Sequence, residues 1–472
     1  MLCLKKVECL FNGLRGISDM FQVYKLEQKL INSFLDCLSH IEKNGKGFIF
    51  ITNSIDEVIG VLTDGDIRRS FLNNAKPNDS PVDYINKSFS FLTPNHTREQ
   101  ILKLFDQGKK FIPILEDRKL IDIIFPESLL YSECQNIMAR AKSPVRISFG
   151  GGGTDLTSFF QEHSGAVLNA TINLYAHCVL KKRDDGCISI SSHDFNQTLF
   201  FSSLQEMKYD NNLDLVKAGI VLLKPTFGFD LEIFSDFPPH SGLGGSSAVL
   251  SAVISCFNEF REDKLNLYEI AELAFQAERI ELSVTGGWQD QYATVFGGFN
   301  FIEFRSERNE VFPLKISSEV INELEARLIL CYSGQEHPVK KIHDEQVQQM
   351  KETDVLDYAH KMRDLAYEMK SSLLRAQLDK FGKLLHEGWL YKKRFSQKIS
   401  NSYLDEIYEF AMNNGAAGGK IVGAGGGGFF LFQSQIDKKG LLTNELKKRG
   451  LIVKDFIFDD RGVRSWKVRY DS

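Results

Sequence analysis

The sequence predicts an α+β protein, an α/β front part followed by a larger two-part domain, on three observations. Up to about Leu130, short β-rich runs alternate with amphipathic helical stretches. From about Ala139 onward, glycine-rich loops recur, each joined to a strand or a helix. The 472 residues suffice for roughly three units of about 150 residues each. An apolar fraction of 43% with 25% charged residues supports substantial cores, which excludes a disordered, collagen-like or disulfide-stapled chain. A net charge of −5 argues against a nucleic-acid coat and leaves room for a local basic pocket that holds one phosphate. The expected boundaries are a front part at 1–130, a linker at 131–138 and a larger part at 139–472.

In chain order, the spacing of Leu26, Leu30, Phe34, Leu38 and Ile41 predicts one helix from Leu26 to Ile41. FIFIT (Phe48 to Thr52) and VIGVLT (Val58 to Thr63) read as strands around a turn. A second helix begins at Thr97, with Gln100 three residues on as a capping partner, and FIPIL and LIDIIF follow as strands. Helix–strand–strand twice within the front part is an internal duplication. The eight cysteines are scattered, without metal spacing, and read as reduced thiols; His240, His337 and His343 show no metal spacing either. With no signal-like leader and no apolar run long enough to cross a bilayer, a cytoplasmic protein without a membrane or nucleic-acid partner is expected.

The segment GVLTDGDIRRSFL (Gly60 to Leu72) resembles the end of a CBS motif, and the front part as a whole resembles a tandem CBS pair. That resemblance implies an adenosine-nucleotide site in which Thr63 and Asp66 hold a ribose, together with homodimerisation or regulation through this region. The second copy, LIDIIFPESL, lacks the Thr-x-x-Asp. Thr63 and Asp66 equally suit a plain helix cap before DIRRSF.

Three glycine-rich loops carry the chemistry. In AKSPVRISFGGGGTDL a strand runs into four glycines and Thr154-Asp155; the missing Cβ atoms let backbone N–H groups approach a ligand, and Asp155 can accept bonds from sugar hydroxyls. In DFPPHSGLGGSSAVLSA the strand DLEIF leads into Gly242, Gly244 and Gly245, and Ser246-Ser247 open an apolar helix. Such a helix N-terminus is an anion cradle. In GGKIVGAGGGGFFLF the glycines lead into a strand, so the dinucleotide-binding reading of Gly423-x-Gly425-x-x-Gly428 fails, and Ile421 after Gly418-Gly419-Lys420 rules out a Walker A loop. A glycine hairpin packed against another loop is the structural account.

Together, PVRISFGGGGTD, PHSGLGGSSA and GAGGGGFFLF resemble the three signature motifs of the GHMP small-molecule kinases over 139–472, with Gly245 where the family carries a serine. RISFGGGGTDL, GGWQDQYATVFGGFNFIEF and LLHEGWLYKKRFSQKIS resemble the D-glycero-D-manno-heptose 7-phosphate kinases in particular. The stretch QEHPVKKIHDEQ departs from that subfamily, which carries an Arg/Ser-rich turn there. The resemblance implies a ribosomal S5 domain 2-like lobe at 139–330 followed by a ferredoxin-like lobe at 331–472. It also implies transfer of the ATP γ-phosphoryl, with Mg²⁺, to the anomeric hydroxyl of a sugar phosphate on a route to nucleotide-activated heptose for surface glycans.

On that resemblance Ser241, Gly242, Leu243, Gly244, Gly245, Ser246 and Ser247 wrap the triphosphate, and Ser247 and Glu278 hold the metal. Asp290 is the base and Arg146 orients it and stabilises transferred charge. The sugar is met by Gly152, Gly153, Thr154, Asp155, Gly425 and Gly426. A cationic clamp for its phosphate is sought at Lys392, Lys393 and Arg394, or at Lys340 and Lys341. Each has a plainer reading: Glu278 beside Arg279 as a solvated helix face, Asp290 as a helix-start charge, Arg146 as an ion-pair partner, the basic runs as surface. A fucose-type free-sugar kinase and a nucleotide sensor with an inactive kinase half are the rival functions.

Overall fold

The computed structural model describes residues 21–129, 137–239, 241–335, 339–350 and 352–470. The chain divides into two compact units, Met1–Glu133 and Cys134–Ser472. Most of the expected linker, with Cys3, Cys9, Cys134, His240 and His337, lies outside the described residues, as do the side chains of Lys340, Lys341 and His343. Ile137 and Met138, expected in the linker, already belong to the first strand of the second unit.

In the first unit, β1 (Lys25–Glu27) pairs in parallel with β2 (Phe48–Thr52), and β2 pairs antiparallel with β3 (Val58–Thr63). Every residue of β2 is buried, as its unbroken FIFIT run requires of a central strand. Helix α1 runs only from Phe34 to Asn44, which corrects the longer helix expected from Leu26. Ser33 and Asp36 form a capping box that fixes its start, and the preceding Leu26 is taken into β1. Helix α2 (Asp64–Leu72) follows β3 directly. The second half repeats the pattern with α3 (Arg98–Asp106), capped by Thr97 and Gln100, and the hairpin of β4 (Ile112–Glu116) and β5 (Lys119–Ile124). Phe48, Phe50, Leu115, Leu120 and Ile123 share one buried cluster, with the Phe48 and Phe111 rings stacked 3.6 Å apart.

Thr63 and Asp66 are occupied with one another. The Asp66 N–H donates to the Thr63 hydroxyl at 3.2 Å, the Thr63 N–H and hydroxyl donate to Asp66 Oδ2 at 2.9 and 2.7 Å, and Arg69 donates to Asp66 Oδ1 at 2.5 Å. This is the capping box of α2. Thr63→Ala is therefore expected to destabilise α2 by about 1 kcal/mol, measured as faster amide hydrogen exchange across residues 64–72 in the full-length chain. Unchanged exchange would show that the box contributes nothing.

The second unit is built on two sheets. The strand β7 (Gly165–Arg183) is the spine of the first. It pairs along its length with β6 (Ile137–Gly150), and on its other side with β11 (Phe299–Phe304) at its start and β10 (Gly228–Ser235) at its end. The sheet continues from β11 to β12 (Asn309–Pro313) and from β10 to β8 (Ile188–Ser192) and β9 (Gln197–Phe201). Against it lie α4 (Thr157–His163), α5 (Asp214–Leu223), α6 (Gly245–Asn258), α7 (Leu267–Phe275) and α8 (Gln289–Phe296), over a core that includes Leu180, Phe229, Leu231, Leu250 and Val253.

After α9 (Ser318–Arg327) comes the second sheet, antiparallel throughout, in the order β14 (Ala416–Ile421), β15 (Phe429–Ser434), β13 (Leu328–Tyr332), β16 (Ile452–Lys454). The expected subdomain division at 330 falls inside β13. Its helices are α10 (Val339–Gln349), α11 (Thr353–Leu374), α12 (Leu378–Lys392), α13 (Ser402–Asn413) and α14 (Lys439–Lys448). The fully buried Trp389 of α12 packs near Phe430 and Tyr408. The last strand, β17 (Arg464–Arg469), returns to pair with β6 in the first sheet, so the chain end ties the two parts together. No helix among the described residues is long and apolar enough to cross a membrane. The described cysteines, Cys37, Cys178, Cys187, Cys256 and Cys331, are free thiols, and all but Cys187 are buried.

Candidate active site

The three glycine loops meet. The strand β6 delivers the first loop, β10 and α6 enclose the second, and the third is the turn of the β14–β15 hairpin. The second and third touch backbone to backbone: a Cβ on Gly242 would lie 2.5 Å from the Val422 carbonyl oxygen, and one on Gly423 would lie 2.6 Å from the Gly242 carbonyl oxygen. Only glycine permits that approach, and both have positive φ. This is the hairpin-on-loop packing expected from the sequence.

A cavity of about 540 Å³ opens where they converge. Arg146 on β6 lines it. Its Nε donates to Asp290 Oδ1 at 2.8 Å, its Nη2 pairs with the same oxygen at 2.6 Å, and its Nη1 donates to the Gly242 carbonyl at 2.7 Å. The Arg146 N–H donates to the Leu243 carbonyl at 2.9 Å, so β6 and the second loop are locked in register. Asp290 stands in the first turn of α8, where its charge also complements the helix dipole. Of the two readings of Arg146, the ion pair is present, and its partner is the carboxylate expected as base.

Asp155 is fixed from both sides. The Gly153 N–H donates to Oδ1 at 2.9 Å and the Gln289 N–H to Oδ2 at 3.2 Å. A Cβ on Gly287 would sit 1.9 Å from Asp155 Oδ2, which explains the second glycine of GGWQDQ. Glu278 is buried on a π-helical turn, Gln276–Glu281, that continues α7; such turns concentrate at functional sites. It is therefore not on a solvated face. Gln291 Nε2 donates to its Oε2 at 2.9 Å, and Arg279 approaches the same oxygen at 3.5 Å. Ser247 is fully buried and does not line the cavity, and its hydroxyl has no hydrogen-bond partner among the described residues.

Of the expected site residues, the cavity wall contains Arg146, Gly152, Gly153, Asp155, Ser241, Gly242, Gly244, Gly245, Ser246, Glu278, Asp290 and Lys392. Others stand off it. Thr154 is buried; its hydroxyl lies 2.8 Å from the Gly151 carbonyl, to which it donates, and accepts from the Ala166 N–H at 3.1 Å, so it braces the first loop. Leu243 is a core residue. Gly425 packs on Ile399 and the Gly426 N–H donates to the Ile399 carbonyl, which removes both from the sugar side. Lys393 pairs with Asp405 at 3.2 Å and Arg394 lies over the Tyr358 ring, so Lys392 alone of the YKKRF cluster faces the cavity.

Sequence reasoning missed Lys420 and Arg279, both on the wall. Lys420 was set aside once Walker A failed. Its signal was a lysine inside AAGGKI, a strand whose other members are small or apolar and which the structure buries almost throughout. Burial, with Lys392 and Arg146 nearby, lowers the Lys420 pKa to about 7; burial lowers that of Lys392 to about 8 against the opposing charge of Asp155. QEHPVKKIHDEQ, which departs from the subfamily, supplies Gln346 to the wall, where it donates to the Ala424 carbonyl at 3.3 Å, and Asp344, which accepts from the Thr285 hydroxyl.

The GHMP kinase N-terminal domain model matches residues 214–298 and the C-terminal model 369–442. A D-glycero-alpha-D-manno-heptose 7-phosphate kinase of Campylobacter jejuni is 40% identical over 335 residues, 70% of this chain and 99% of that protein. A solved D-glycero-D-manno-heptose 1-phosphate kinase from Bacteroides thetaiotaomicron is 30% identical, with a TM-score of 0.61 over 71% of this chain and all of that one. The galactokinase of Lactococcus lactis, at 20% identity and a TM-score of 0.58 over 70% of this chain and 95% of its own, shares the fold. A relative so similar along its whole length, with both family models falling within the second unit, settles the matter: the chain belongs to the GHMP kinases and is an ATP-using sugar kinase, a phosphotransferase whose acceptor is a sugar hydroxyl.

Proposed function

We propose that the enzyme phosphorylates the anomeric hydroxyl of D-glycero-D-manno-heptose 7-phosphate to give the 1,7-bisphosphate. The observation that carries this reading is a single cavity joining the Arg146–Asp290 pair, the N-terminus of α6 and two buried lysines. The 40% identity to a heptose 7-phosphate kinase supports the choice of sugar. The apolar side chains of Phe195, Leu215, Phe237 and Val249 suit a purine, and the loop from Ser241 into α6 offers N–H groups and a helix dipole to its phosphates.

Asp155, already oriented by two backbone N–H groups, accepts from sugar hydroxyls. Asp290 takes the proton of the anomeric hydroxyl as its oxygen attacks the γ-phosphorus and the bond to the β-phosphate oxygen breaks, releasing ADP. Arg146 aims Asp290 and, through the Gly242 carbonyl, ties the base to the phosphate loop. Mg²⁺ fits the residues present: the Ser247 hydroxyl, without a partner among the described residues, and the buried Glu278 carboxylate are hard oxygen donors of the kind that would hold such an ion. When bound, it neutralises charge on the β- and γ-phosphates.

A screen of ATP turnover across heptose 7-phosphate, free heptose, fucose and glucuronate tests the reading. Heptose 7-phosphate is expected to have the highest kcat/KM, by at least about 10-fold over any unphosphorylated sugar. Fucose or free heptose ranking first would sink the substrate and leave the sugar kinase.

A further inference from the structure

We infer that Lys420, acting with Lys392, forms the seat for a phosphate monoester carried by the sugar. This rests on the sugar-phosphate reading above and assigns the group that recognises the second anion. Both side chains are more than nine-tenths buried, and both reach the cavity wall from different elements, Lys392 from α12 and Lys420 from β14. Each ammonium has one long contact to a backbone carbonyl: Lys392 to Gly152 and Lys420 to Phe149, both at 3.4 Å. Among the described residues no carboxylate closes an ion pair with either.

The other cations of the wall are already engaged. Arg146 is held by Asp290 and the Gly242 carbonyl, and Arg279 faces Glu278 and the carbonyls of Val284 and Thr285. Asp155, the carboxylate whose charge reaches both lysines, is already shared between two N–H groups. Two buried ammoniums left without a counter-ion are costly unless an anion joins them, and a dianionic phosphate satisfies both at once.

The test is steady-state kinetics of the full-length enzyme and its Lys420→Met and Lys420→Gln variants, with heptose 7-phosphate and free heptose as parallel acceptors. The readout is the ratio of kcat/KM for the two. In the wild type this ratio favours the phosphorylated sugar. Both variants are expected to lower it by about 10- to 100-fold, the loss falling on KM for heptose 7-phosphate. Turnover of free heptose shows that each variant is folded. A ratio unchanged in both variants, or variants inactive on both sugars alike, overturns the assignment of Lys420 and leaves the substrate reading standing. A wild-type enzyme that prefers free heptose or glucuronate overturns both.

Discussion

Replacing Asp290 with asparagine is expected to lower kcat by about 10³-fold while the KM for ATP stays within about twofold. The amide is nearly the same shape and still offers Arg146 an oxygen, so the 2.8 Å contact from Nε has an acceptor and the link from Arg146 to Gly242 is undisturbed. What is lost is the capacity to take a proton. Phosphoryl transfer of this kind requires little covalent chemistry from the protein beyond positioning and charge stabilisation, and one proton acceptor is the part an amide cannot replace. Because the loop proposed to face the nucleotide is held by backbone geometry at Gly242 and Gly423, ATP binding by calorimetry should be unaltered. A kcat within about threefold of wild type would remove Asp290 from the reaction and with it the mechanism.

Much of the fold was legible because its signals are short-range. FIFIT and VIGVLT match β2 and β3 residue for residue, and Thr97 with Gln100 caps α3, since strand pattern and capping chemistry act over a few positions. The glycine loops were legible as loops, but which glycines face the cavity was not. Gly425 and Gly426 are committed to Ile399, whereas Gly242 and Gly423 meet each other, a pairing across long sequence separation that no local pattern encodes. The helix drawn from Leu26 failed for a related reason: its apolar spacing was real, yet pairing with Phe50, Ile51 and Thr52 drew Lys25–Glu27 into a sheet, and the Ser33–Asp36 box made Phe34 the start of the helix. Lys392 and Lys393 are adjacent in a basic run; the turn of α12 sends one to the cavity and the other to Asp405. Lys420 was missed because a motif test, once failed, said nothing about why a lysine should lie in a buried strand.

Arg146→Met is expected to lower kcat/KM by about 10²- to 10³-fold, with a signature distinct from that of Asp290→Asn: kcat falls and the KM for ATP rises together. The reason is the double attachment of one guanidinium. Nε and Nη2 serve Asp290, whereas Nη1 holds the Gly242 carbonyl at 2.7 Å, so methionine releases the base and the phosphate loop at once. Arg146→Lys should recover little, because a single ammonium on a flexible stem cannot span both acceptors in the fork geometry that the site uses. The pair also sets a test of coupling. If Arg146 acts on kcat through Asp290, the double variant should lose about as much kcat as Asp290→Asn alone, while its KM for ATP rises as in Arg146→Met. Fully additive losses in kcat would mean that Arg146 acts on the transferring phosphoryl without Asp290, and the orienting role derived from the 2.6–2.8 Å contacts would have to be given up.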